Sequence, residues 1–284
     1  MMNSLKTFIL LSALTLLLIW VGGIIGGQQG ALFAFVFSLI MNLGAYWFSD
    51  KLVLAMYQAK PVTEAQEPAL YNMVGEISQA ARIPMPKVYI IPQSAANAFA
   101  TGRNPKHAAV AVTEGIKNLL SEEELKGVLA HELGHVKNRD ILIGSIVAAV
   151  AGAIMMLANM ARWAAMFGGY SRDRDRNQGG TNIISLLAIT ILAPIAALLI
   201  QMAISRSREY LADETGAKFI RTGAPLAGAL KKLEAQARRN PLQANPQSAH
   251  MFIVNPLSGQ ALLTLFSTHP PIKNRVERLE RLSF

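Results

Sequence analysis

Apolar residues dominate four stretches of the chain, and charge is absent from each. No charged residue falls between Thr7 and Ser49, and two more charge-free apolar runs cover 141–161 and 183–204. A helix that crosses the hydrocarbon core of a bilayer needs about 20 such residues. The pattern therefore predicts four membrane spans, at 7–26, 31–49, 141–161 and 183–204. A buried core helix is the alternative for any single run, but core helices of soluble proteins are usually shorter and carry a polar face. A cleaved signal peptide is the alternative for the first run. Against it stand the lack of a clear A-x-A site and a second apolar run directly after Gly-Gln-Gln-Gly.

Between the spans the pattern changes. Residues 63–81 have helical spacing behind a Thr63-x-x-Gln66 capping box. Three short strands are predicted at 87–92, 96–102 and 108–112. Ser121-Glu-Glu-Glu124 is a second capping box, with acidic residues at the positive end of a helix expected to reach about Lys137. Helical spacing returns at 205–220 and 225–239, and 240–258 reads as loop around Pro241, Pro246 and Pro256. These elements divide the chain into two N-terminal spans (1–49), a water-facing segment (50–140), two further spans (141–204) and a second water-facing segment (205–284). An even number of crossings separates the water-facing segments, so both can build one domain. The expected fold class is a mainly α membrane protein: four transmembrane helices and an α+β domain with a small sheet.

Composition agrees with this picture. The chain of 284 residues is 52% apolar and 16% charged, against about 25% charged in an average soluble domain. Cysteine is absent, which excludes disulfides and thiolate ligands; any metal must use His, Asp or Glu. The net charge of +9 sits mostly in 205–284 and is not interleaved with aromatic or groove-reading elements. Nucleic acid is therefore not an expected partner, and a basic surface beside anionic lipid is the simpler reading. Lys6 and Lys51 flank the first two spans and the loop between them is uncharged, which places the termini and the domain in the cytoplasm. Arg172, Arg174 and Arg176 oppose that assignment if spans three and four cross fully.

The chemistry lies in His131-Glu132-Leu133-Gly134-His135. On a helix, positions i and i+4 share a face, so His131 and His135 can bind one metal ion, and Glu132 can reach water activated there. The alternative is a pair of ordinary surface histidines. A catalytic zinc site needs three protein ligands. Glu209 and Asp213, also i and i+4, are candidates just after the fourth span: Glu209 as ligand, Asp213 as acceptor for the free N–H of a ligand histidine. His250 and His269 compete for the third place, and a solvated helix with internal ion pairs is the alternative.

Four pieces together, H-E-L-G-H-V-K-N-R-D (131–140), S-R-S-R-E-Y-L-A-D-E-T-G-A (205–217), N-A-F-A-T-G (97–102) and T-H-P-P-I-K-N-R (268–275), resemble the HtpX family of membrane zinc metalloproteases, itself distantly related to the CAAX prenyl endopeptidases. The resemblance covers nearly the whole chain. It implies a zincin-like protease domain and one zinc ion held by His131, His135 and Glu209, with Glu132 as general base and acid. It also implies that Asn97 lies on the strand lining the substrate cleft, that His269 stabilises the tetrahedral intermediate, and that Arg275 orients the site. Implied further are a bacterial inner-membrane location, protein substrates that include damaged or misfolded membrane proteins, and a role in stress response. Asn138 and Asp140 are read as ending the helix. The rival readings are an intramembrane protease, a CAAX-type enzyme, and a membrane scaffold with a structural metal.

Overall fold

The structure is a computed structural model that describes residues 2–142, 144–146, 206–239 and 270–284. Spans three and four, the Arg172–Arg176 stretch, the loop 240–258 and His269 lie outside or almost wholly outside the described residues.

The first element, α1 (Met2–Met56), is continuous helix but not straight. Gly27 has φ +58°, a conformation open to glycine and foreign to an α-helix. Asn42 Nδ2 donates to Thr15 Oγ1 at 2.8 Å and to the Leu11 carbonyl at 3.5 Å. In a straight helix, positions 15 and 42 would lie roughly 40 Å apart, so the chain reverses near Gly27. The arm Gly27–Met56 is 30 residues long and apolar enough to cross a membrane, the one such helix among the described residues.

Four strands follow the order β1-β2-β4-β3. They are β1 (Lys60–Pro61), β2 (Lys87–Ile91), β3 (Ala98–Gly102) and β4 (Ala108–Thr113). β2 and β4 are parallel, while β1 pairs antiparallel with β2 and β3 with β4. Among the described residues β3 is an edge. β4 is buried at every position because both of its faces are covered. Ala108, Val110 and Val112 join the main core; Ala109 and Ala111 meet Val53, Leu54 and Tyr57 at the end of α1. The Tyr57 and Phe99 rings lie 5.1 Å apart across that second contact. The apolar arm thus packs directly on the sheet with no linker between them.

The helices on the other face are α2 (Pro68–Ala81), α3 (Glu114–Leu119), α4 (Glu122–Asn138), α5 (Arg206–Ile220), α6 (Ala224–Arg239) and α7 (Ile272–Glu280). α2 starts five residues later than its sequence signal. Gln66 does reach back to the Thr63 N–H, at 3.0 Å, but Glu67 precedes a proline and is driven out of the helical region (φ −138°, ψ 63°). Pro68 then occupies the first turn, where its missing N–H costs nothing. The capping box at Ser121 and Glu124 is present in both directions and starts α4. α4 is the central helix: ten of its residues, Leu125 and Gly127–Gly134 among them, are buried.

Candidate active site

α4 and α5 cross where two glycines face the partner helix. A methyl on Gly216 would lie 2.7 Å from the Ala130 carbonyl and the His131 nitrogen; one on Gly134 would lie 2.9 Å from the Ala212 oxygen. Backbone cannot yield like a flexible side chain, so only glycine permits this approach. The close crossing brings Glu209 against the two histidines one turn apart on α4.

The three groups converge on one point. His131 Nε2 and His135 Nε2 are 3.2 Å apart. Glu209 Oε2 lies 3.7 Å from the first and Glu209 Oε1 lies 3.6 Å from the second. A tetrahedral ion with bonds of about 2.0–2.1 Å holds its ligand atoms about 3.4 Å apart. The spacing and the N, N, O donor set therefore fit a divalent cation of zinc's kind, and this trio is the group among the described residues able to hold one.

Each imidazole presents Nε2 because its other nitrogen is engaged. His131 Nδ1 is 2.9 Å from Asp213 Oδ1, and His135 Nδ1 is 3.0 Å from Asp140 Oδ2. Asp213 also receives a two-pronged pair from Arg275, Nε to Oδ2 at 2.9 Å and Nη2 to Oδ1 at 2.7 Å. Arg275 is fully buried; its Nη1 has no hydrogen-bond partner among the described residues and lies 3.8 Å from Glu209 Oε2. Pro271 makes this reach possible by starting α7, so that Arg275 projects from its first turn. Glu132 accepts the Ala100 N–H from β3 at 2.9 Å.

The electrostatics follow from this crowding. Burial opposes ionisation of Asp213, yet Arg275 and His131 hold its carboxyl down at about 2. Burial also opposes a charged His135, but Asp140, Glu209 and Glu132 hold its pKa up at about 10. Burial pushes Glu132 up, with the imidazoles pulling it down, Glu209 adding to the rise and the Ala100 N–H opposing it. Four carboxylates (Glu132, Asp140, Glu209, Asp213) share this volume with the guanidinium of Arg275, and Arg208 senses both Asp140 and Glu209 from a half-buried position. With all four carboxylates ionised and both imidazoles neutral, as metal ligation requires, the set has two negative charges more than the two guanidinium groups balance, and one divalent cation would offset them.

The structure thus assembles His131, Glu132, His135, Glu209, Asp213 and Arg275. Asn97 is buried at the head of β3, where its backbone brackets Thr113: its N–H donates to Thr113 Oγ1 at 2.9 Å, and its carbonyl accepts from the Thr113 N–H at 2.9 Å. His269 and His250 lie outside the described residues. Sequence reasoning missed Asp140 as a partner of His135. The signal was available: each ligand histidine needs an acceptor for its second N–H, and Asp213 can serve only one. It also missed the contact between Glu132 and β3.

An H-E-x-x-H helix crossed by a glutamate-bearing helix defines a metalloprotease. The chain belongs to peptidase family M48, whose model matches residues 64–283. It is 58% identical to a "Protease HtpX homolog" from Syntrophobacter fumaroxidans over 98% of both chains, and 53% identical to one from Pyrococcus furiosus over 98% of this chain and 95% of the other. Its fold is similar to that of the S. mikatae Ste24p crystal structure (TM-score 0.52, 17% identity), with 98% of this chain matched to 65% of that one.

Proposed function

We propose that the protein is a membrane-anchored zinc endopeptidase whose catalytic domain faces the cytoplasm at a bacterial inner membrane, and whose substrates include damaged or misassembled membrane proteins. The observation that carries the reading is the convergence of His131, His135 and Glu209 beside Glu132. Zinc held by the first three would supply Lewis acidity toward a scissile carbonyl and toward water. Glu132 takes the proton from water and later delivers it to the leaving amine; a carboxyl raised by burial suits both directions of transfer. Asp213 and Asp140 fix the histidine tautomers, and Arg275 steadies Asp213 and Glu209. His269 would donate to the developing oxyanion. Asn97 and β3 would guide an extended substrate, whose main-chain pairing gives loose sequence preference.

The membrane part of the reading rests on α1. Phe33, Leu32 and Ile40 are exposed by 73%, 64% and 64%, an arrangement that suits lipid and not water. The proposed division is two spans in 1–49, the protease segment 50–140, two more spans in 141–204 and the second protease segment 205–284.

The test is to purify the full chain in detergent with a chelator, add zinc, and follow cleavage of the protein itself and of an unstructured test protein. Cleavage only after zinc supports the reading. Zinc binding with no cleavage of any protein would favour a membrane scaffold with a structural metal.

A further inference from the structure

The end of the apolar arm nearest the sheet carries Tyr46, Trp47 and Phe48, all exposed. Tyr and Trp side chains settle at the boundary between headgroups and hydrocarbon. Two cations lie over these rings. Lys51 Nζ is 5.4 Å from the centre of Phe48, and Arg103 Cζ is 4.3 Å from the centre of Trp47. Arg103 is remote in sequence: it opens the turn between β3 and β4, which also exposes Lys106 and His107.

Two cations on this face are turned toward aromatic rings, not toward carboxylates. Lys117, Lys126, Lys218, Lys231, Lys232 and Arg238 each pair with a carboxylate. Lys51, Arg103 and Lys106 make no ion pair among the described residues, and neither does the nearby Asp50. Such cations beside the aromatic end of an apolar arm are placed where lipid phosphates would lie. The same end of β3 is tied a second time to an apolar segment, one expected to enter the membrane. Ser145, near the start of the third apolar run, is 2.7 Å from Thr101 Oγ1 and accepts the Gly102 N–H at 3.1 Å.

We propose that Lys51, Arg103 and Lys106 bind the phosphates of anionic lipid headgroups and so hold the end of β3 at the bilayer surface. Ala100, whose N–H meets Glu132, is three residues back along the strand, about 10 Å at about 3.4 Å per residue. The lipid contact therefore acts as a ruler. Resting on the protease reading above, it restricts efficient cleavage to peptide bonds within a few residues of where a membrane substrate leaves the bilayer. A soluble peptide gains nothing from it.

The experiment uses the full chain in vesicles of phosphatidylcholine, with or without phosphatidylglycerol. Two substrates share one cleavable sequence: a single-span reporter carrying it next to its span, and a soluble peptide. Phosphatidylglycerol should lower KM for the reporter in wild type. Arg103→Gln should lose about fivefold of that gain, the worth of one cation near an anionic surface. Arg103→Lys should restore most of it, and soluble-peptide hydrolysis should be equal in all three proteins. A second readout needs no activity. With Trp20 and Trp163 replaced by Phe, Trp47 fluorescence should be quenched by headgroup-labelled lipid more than by mid-chain-labelled lipid. Equal lipid dependence in wild type and Arg103→Gln, or quenching of Trp47 from mid-chain, overturns the proposal. Failure of every form to cut either substrate while Trp47 reports a headgroup position would sink the protease reading and leave the lipid contact standing.

Discussion

The α4–α5–α7 crossing and the α1 arm are each built the wrong way round for a water-soluble protein, in opposite senses. The crossing buries Glu132, Glu209, Asp213, Asp140 and Arg275, while the arm exposes Leu32, Phe33, Phe37 and Ile40. Buried charge is tolerated when it is paired and balanced; exposed hydrocarbon is tolerated when its solvent is hydrocarbon. On the proposed reading each region is completed by a partner: a divalent cation inside, a bilayer outside. The two are joined without a hinge, because Val53, Leu54 and Tyr57 at the end of the arm pack on the sheet whose edge strand meets Glu132.

That contrast can be broken from the inside. Glu209→Gln removes a charged ligand and should lower zinc affinity by more than about 100-fold, since changes to groups behind the ligands already cost about 10–100-fold; the check is metal retained after gel filtration against a competing chelator. Asp140→Asn and Asp213→Asn should each fall within that 10–100-fold range, with Asp213→Asn also freeing Arg275 and so costing more stability. Gly216→Ala drives a methyl into the α4 backbone. It should cost about 1–3 kcal/mol in a denaturant titration and weaken zinc binding as well. Equal zinc affinity in that variant would mean that the helix crossing does not set the ligand spacing.

A smaller effect sharpens the account of charge. In chelated protein, His135 has a folded pKa near 10, well above its ordinary value of about 6.5. A raised folded pKa contributes stability that is full below about 6.5 and lost as pH rises toward about 10. Chelated protein should thus lose thermal stability across that window. Zinc-loaded protein should not lose it there, because a ligated His135 is already neutral. Asp213 works in the other direction, with stability present above about 3.9 and lost as pH falls toward about 2.

Much of this site is legible in the sequence because its parts obey local rules. His131, Glu132 and His135 are set by helical spacing, and Ser121 with Glu124 announces the helix that carries them. Glu209 and Asp213 repeat the same i, i+4 logic on a second helix. What is not legible depends on turns and distant approaches. Asp140 reads as a helix stop, and it does follow one. But Arg139 adopts a left-handed conformation (φ 59°), which folds the chain back so that the carboxylate reaches His135. β1 spans two residues and α3 six, too short for a periodic signal. The late start of α2 comes from Pro68 overriding a capping signal that is locally sound. The contact of Glu132 with Ala100 joins positions 32 apart, and no local pattern encodes it.

The most direct test compares wild type with Glu132→Gln, both purified with a chelator and then loaded with zinc, measuring bound metal and cleavage of an unstructured test protein side by side. The account predicts one zinc per chain in both and a rate lower by at least about 10²–10⁴-fold in the variant. Equal cleavage by the two proteins would contradict the assignment of Glu132 as the proton carrier and with it the central claim about this site.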